Sequence, residues 1–250
     1  MQKKLLVILF LGFILLGTTG CGRHGRLHEY DDFIKYVNNL QCGMNSRKVS
    51  CNLEGKYELT NIEEGKDDDG KKTRTYTFKI KDSNLSFNVH SQYFCTGSID
   101  GTCFDYTYTL MDSYHVEAFK YYLNDYNKKV GFDDRLQYYF GDEIKEPLIG
   151  SFDIKTSDDL IYIINYMKGF LDYANDLNMK FLGKGEDFII NFTENKYGYD
   201  NSWVYSLSIY FDIDENDKYI YKFKDDYYPE DGKLDTYIYN YMDKNGITLK

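Results

Sequence analysis

Four stretches of the chain alternate apolar and polar residues with period two: "RTYTFKI" (74–80), "LSFNVH" (85–90), "FDYTYTL" (104–110) and "YSLSIYFDI" (205–213). Successive side chains of a strand point to opposite faces, so each stretch predicts a strand with one buried face. "EDFIINFT" and "KYIYKFK" add two strands with looser alternation. Connections such as "KDSN" and "DENDK" carry turn-forming residues, and short turns join antiparallel neighbours. The economical reading is an antiparallel meander.

Helical spacing interrupts this pattern in four places. The strongest begins at "TSDD", where Thr156 or Ser157 caps the first turn ahead of a stripe through Leu160, Ile163, Ile164, Met167, Leu171, Ala174 and Leu177. Others begin near Tyr30 (Phe33, Ile34, Val37, Leu40), near Ser113 (Val116, Phe119, Leu123, Tyr126) and near Asp231 (Leu234, Ile238, Tyr241, Met242), the last stopping at Gly246. All four repeat an apolar residue, a Tyr three later and an apolar residue four later, as in Phe33-Tyr36-Val37 and Ile163-Tyr166-Met167. The order helix, strands, helix occurs in 28–128 and again in 156–245. A duplication accounts for it, and so does a Tyr-rich chain that packs helices on sheets. The expected fold class is α+β: antiparallel β-meander sheets covered by amphipathic helices, in an N-terminal half (29–146) and a C-terminal half (147–250).

Ahead of these elements, Lys3 and Lys4 introduce an uncharged run from Leu5 to Gly17, followed by Thr18, Thr19 and Gly20. A basic start, an apolar middle and a small-residue exit make residues 1–20 a signal peptide, too short in its apolar part for the roughly 20 residues of a membrane span. "TTGC" (18–21) resembles the lipobox of bacterial lipoproteins, with Thr18 where that family usually has Leu. The resemblance is confined to the leader. It implies a diacylglyceryl group on Cys21, cleavage just before it, and a protein held by lipid on the extracytoplasmic face of the cell membrane. An ordinary cleaved signal peptide would leave Cys21 as a thiol. Residues 21–28 then form a tether in which Arg23, His24, Arg26 and His28 can meet anionic head groups.

Charge narrows the partners. No acidic residue precedes Cys21, so loss of the two leader lysines leaves 40 acidic against 28 basic side chains, a formal charge of −12. Such a surface repels phosphate backbones, and no nucleic-acid partner is expected. The 27 Tyr and 17 Phe provide core material that a disordered chain lacks. Only Pro147 and Pro229 occur, with no Ser/Gly/Pro-rich stretch to act as a linker.

With Cys21 assigned to lipid, four cysteines remain in two local pairs, Cys42 with Cys51 and Cys95 with Cys103. An exported compartment permits disulfides, and "CTGSIDGTC" joins two strand patterns like a hairpin, which favours Cys95–Cys103. Four cysteines still allow three connectivities. A zinc site is the alternative, without C-x-x-C knuckles to support it.

Catalytic motifs are missing: the sequence has no G-x-S-x-G, S-x-x-K, H-E-x-x-H or C-x-x-C. His90 shares its strand face with Ser86 and Asn88 and is expected to meet solvent. His115 has Asp112, Ser113 and Glu117 nearby, a grouping open to an acid/base or metal cluster and explained as well by a helix cap with an exposed first turn. "GKDDDGKK" (65–72) nearly spells a phosphate loop, yet its aspartates would repel phosphate, so it reads as a hairpin tip. "DIDENDKYIYKF" opens like a calcium loop through Asp212, Asp214 and Asn216, but lacks the turn glycine and the closing Glu; weak extracellular calcium binding is the most it suggests. No cofactor is expected. The function class is a binding or envelope-associated interaction module for a protein, peptide or glycan ligand. The competing classes are a hydrolase of wall polymers or peptides, and an immunity or inhibitor protein at the membrane.

Overall fold

The computed structural model describes residues 25–43, 48–100, 102–132, 149–177, 179–182, 187–193 and 203–249. Cys21, the leader and the 146/147 division between the expected halves lie outside them. The elements are α1 (Tyr30–Asn38), β1 (Gln41–Cys42), β2 (Val49–Ser50), β3 (Tyr57–Lys66), β4 (Lys72–Ile80), β5 (Ser86–Ile99), β6 (Thr102–Asp112), α2 (Tyr114–Val130), β7 (Ile149–Ile154), α3 (Ser157–Asp176), β8 (Asp187–Thr193), β9 (Trp203–Ile213), β10 (Tyr219–Lys222) and α4 (Leu234–Asn245), with a 3-10 turn at Asp225–Tyr227. The fold is α+β, with four-stranded sheets ordered β3-β4-β5-β6 and β10-β9-β8-β7 and a small β1-β2 pair. Among the described residues no helix is long and apolar enough to cross a membrane.

Two compact units share the chain by interleaving. One comprises Glu58–Lys79, Asn88–Asp112 and the described residues up to Tyr36; the other comprises Val37–Tyr57, Ile80–Phe87 and the described residues from Ser113 onward. In the first unit, alternation along β4 and β5 buries Phe78, Val89 and Ser91 on one sheet face. Phe33 of α1 packs on Tyr76 with ring centres 3.9 Å apart. The strands run past this core: from Phe94 onward β5 is largely exposed, and Cys95–Cys103 closes its hairpin with β6. The segment before α1 is laid on the sheet. Gly25 sits so close to β6 that a Cβ there would stand 2.7 Å from Thr107 Oγ1 and 2.8 Å from the Tyr108 amide nitrogen. His28 Nδ1 lies 2.8 Å from the buried Ser91 hydroxyl.

In the second unit, one face of the β7–β10 sheet supplies Phe152, Phe188, Ile190, Ile209 and Phe211, all essentially inaccessible to solvent. Phe119 of α2 and Phe170 of α3 close over Phe188 and Phe211 at ring separations of 5.5–6.5 Å. Thr156 caps α3 in a reciprocal box: its hydroxyl accepts from the Asp159 amide, and the Asp159 carboxylate accepts from the Thr156 amide. α4 ends at Gly246 in the left-handed conformation, φ 64°.

One pairing departs from a simple meander. β7 and β8 run parallel, Ile149 opposite Asp187 through Ile154 opposite Phe192, with α3 as the crossover between them. Parallel neighbours require such a long connection, so no tight-turn signature announces the pair. "IGSFDI" is short and lacks the strict alternation of the longer strands.

Candidate functional site

β10 forms an edge of the second sheet, and a turn built by its own side chains places it there. Asp214 Oδ1 accepts from the Asn216 and Lys218 amides at 2.8 and 2.9 Å, and Asp217 takes a left-handed φ of 59°. The resulting register sets Tyr219 opposite Ile213, Ile220 opposite Asp212, Tyr221 opposite Phe211 and Lys222 opposite Tyr210. The Asp214 amide donates to the Lys218 carbonyl at 2.8 Å, so the alternation of an antiparallel ladder turns the backbone groups of Ile220 and Lys222 toward β9. Those of Tyr219 and Tyr221 point outward.

Asn175, near the end of α3, takes the first outward pair as a neighbouring strand would. The Tyr219 amide donates to its Oδ1 at 2.7 Å, and its Nδ2 donates to the Tyr219 carbonyl at 2.9 Å. Two residues on, the edge opens onto a cleft of about 780 Å³. Tyr221 is held there by its hydroxyl, which donates to the Met167 carbonyl; burial drives that phenol's pKa far above its ordinary value.

Leu171 and Asp172 of α3 line the cleft together with Phe223, Tyr228 and Leu234. The Pro229–Gly232 turn, closed by a 3.0 Å bond from the Gly232 amide to the Pro229 carbonyl, carries the chain into α4. Ahead of α4, Asp231 accepts from the Lys233 amide and the Thr236 hydroxyl, and the hydrogen bond from that amide holds its carboxyl below the usual range. Lys168, Lys222 and Lys233 line the cleft together with Asp172 and Asp212. The ion pairs of these lysines to Asp235, Asp212 and Asp231 span 3.4, 3.4 and 3.2 Å. The Lys168–Asp235 and Lys233–Asp231 pairs are exposed on both sides and worth little, about 1 kcal/mol or less, whereas Lys222 balances an Asp212 carboxylate that is only 10% exposed.

The residues singled out in the sequence fall elsewhere or take other roles. Cys42–Cys51 and Cys95–Cys103 are disulfide-bonded, with Cα separations of 5.1 and 5.8 Å. Asp214 serves its own turn, while Asp212 accepts from the Ile213 amide and pairs with Lys222. Of Asp212, Asp214 and Asn216, Asp212 alone lines the cleft. His115 does not fit the simple cap reading. Ser113 makes no side-chain cap bond, and His115 Nδ1 lies 2.9 Å from the Phe181 carbonyl and 3.9 Å from Cys42 Sγ. Cys42, Cys51 and His115 are the one group among the described residues with three metal-ligating atoms in mutual reach, all within 4.8 Å. The two sulfurs are bonded to each other and offer no thiolate, the form a metal requires. His90 is half-buried against the Thr75 hydroxyl. The 65–72 segment is a solvated hairpin tip in which Asp67 Oδ1 accepts from the Asp69 and Lys71 amides.

His28 with Ser91 resembles a base beside a nucleophile, with Asp32 near the imidazole. Ser91 is wholly buried, so no substrate carbonyl reaches its hydroxyl. Asp32 is occupied by Arg26 and by the Glu29 amide. The contact clamps the segment before α1. The pairing that frames the β10 cleft is not legible in the sequence pattern, because Asn175 and Tyr219 meet across 44 residues. The readable hint is "KYIYKFK", apolar on both faces where an edge strand facing water alternates. Compared with protein-family models, with curated proteins and with solved structures, the chain matches none.

Proposed function

We propose that the protein is a lipid-anchored extracytoplasmic lipoprotein whose folded part is a non-catalytic binding module. The observation that carries this reading is the leader: two lysines, an uncharged apolar run and small residues ending at Gly20-Cys21. Two acyl chains at one cysteine anchor stably where one chain is marginal. The two disulfides agree with an oxidising compartment. The apolar side chains and the charged groups that line the β10 cleft support the binding reading, since both are contacts for recognition.

Growth with radiolabelled palmitate tests the anchor. Label is expected in the parent protein and absent from Cys21→Ala, which should also leave the membrane fraction. Equal labelling of the two proteins refutes the assignment.

A further inference from the structure

We infer that the β5–β6 hairpin docks in the head-group layer of the membrane that holds Cys21; this rests on the lipid-anchor reading and adds a second membrane contact to it. The hairpin supplies the first argument, because apolar side chains occur on both of its faces and at its tip. Tyr93, opposite Tyr108 in the ladder, shares one face with Tyr106, opposite Cys95, while Phe94, opposite Thr107, lies on the other. The Tyr93 ring centre is 4.5 Å from that of Tyr106 and 5.7 Å from that of Tyr108. Phe94 is 39% exposed, and Ile99 at the turn 65%. Cys95–Cys103 keeps this end closed where a bulge shifts the register between Cys95 and Ser98. Tyrosine suits the boundary of a bilayer, since its ring takes the apolar side and its hydroxyl the wet one.

The anchor supplies the second argument and selects the occupant. Gly25 is seated against Thr107 and Tyr108 of this same hairpin, and Cys21 precedes it by four residue steps, so a lipid on Cys21 holds the bilayer beside β6. So short a tether gives the hairpin a high effective concentration at the head groups, where a contact too weak to retain a free protein is enough. Charge decides the kind of surface. From Tyr93 to Tyr108 the chain has Asp100 and Asp105 and no basic residue, and the 65–72 tip carries three aspartates against three lysines. The end of this unit is therefore not basic, and attraction to anionic lipid does not drive the contact. A zwitterionic head group matches it better: Lys71 of the 65–72 tip stands 5.2 and 5.8 Å from the Tyr93 and Tyr106 ring centres, and the ammonium of such a head group can take the same faces.

The full chain, labelled at its isoleucine methyl groups, isolated from cells and placed in phosphatidylcholine nanodiscs, tests this. A nitroxide on a fraction of the head groups should weaken the Ile99 signal at least about twofold relative to that of Ile62, which is 49% exposed on β3 of the same unit. Tyr93→Ser with Tyr106→Ser should recover about half or more of the lost intensity, and so should Phe94→Ser at its exposed position, with circular dichroism unchanged and Cys95 and Cys103 still paired. Phosphatidylglycerol in place of phosphatidylcholine should not deepen the loss. Equal loss at Ile62 and Ile99, no recovery in either variant, or loss only with phosphatidylglycerol overturns the inference. Ile99 shifts on adding chitotetraose, without loss on nanodiscs, overturn it in favour of a glycan. Palmitate label with no Ile99 loss removes the docking and leaves the anchor, whereas Ile99 loss without palmitate label removes the anchor alone.

Discussion

His28 has a role that its position in the sequence conceals. Its place beyond Cys21 suggests a free tether, yet the ring is half-buried and bonded to Ser91. The clue lies in parity: Phe87, Val89 and Ser91 share one strand face, so a hydroxyl sits where the alternation demands an apolar side chain and must find a partner. Burial pushes the His28 pKa below its ordinary 6.5, with Asp32 opposing and Arg26 reinforcing the shift. Burial lowers His90 as well. A folded-state value below the unfolded one means that the folded chain binds fewer protons. Stability is therefore full above the unfolded pKa, falls as pH drops through it, and levels off below the depressed folded value. The melting temperature should be lower at about pH 5 than at about pH 7.5, and His28→Gln should reduce that difference. An unchanged difference in the variant would count against the burial account.

At the level of elements, legibility follows burial. β4, the first half of β5 and β9 pair one buried with one more exposed face, and their alternation is readable; β6 alternates in sequence, yet none of its described residues is buried. β3 lies mostly in solvent along its length and displays no such rhythm. β7 is short and finds a parallel partner across a helix, so neither alternation nor a turn marks it. α3 is the clearest helix because its cap and its stripe agree. Gly169, midway along it, is required by a neighbour, since a Cβ there would collide with the Tyr126 hydroxyl of α2. The next residue, Phe170, touches Phe119, Tyr126, Phe181, Phe188 and Phe211. Truncating such a ring loses its transfer energy and leaves a cavity. Phe170→Ala should cost about 3–5 kcal/mol in chemical denaturation, and Thr156→Ala, which removes only the cap, about 1 kcal/mol. Comparable losses for the two would show that α3 is not anchored through its aromatic face.

Across the whole molecule, each unit has one disulfide, in contrasting settings. Cys42 and Cys51 are fully buried, whereas Cys95 is exposed on the projecting hairpin. A reductant must reach sulfur to exchange with it, so access decides the order. Mild reduction followed by alkylation and peptide mapping should modify Cys95 and Cys103 first, with Cys42 and Cys51 reacting only as the second unit opens. Replacing the buried pair by alanine should cost about 2–3 kcal/mol, the range for a short closed loop. Simultaneous modification of all four would mean that the buried pair opens as freely as the exposed one. The cysteine pairs are readable because each is local in sequence. The interleaving of the units is not, since it depends on which strand ends join which core.

On the proposed attachment, the close seat of Gly25 on β6 would fix how far the first unit can stray from a lipid at Cys21. Only four residue steps separate the two positions, and a fully extended chain covers at most about 3.5 Å per step, or about 14 Å in all. That unit would then graze the head groups. It would sweep a thin layer of the periphery, meet ligands that come down to the bilayer, and lengthening the leash by inserted residues would extend its catchment without altering its affinity.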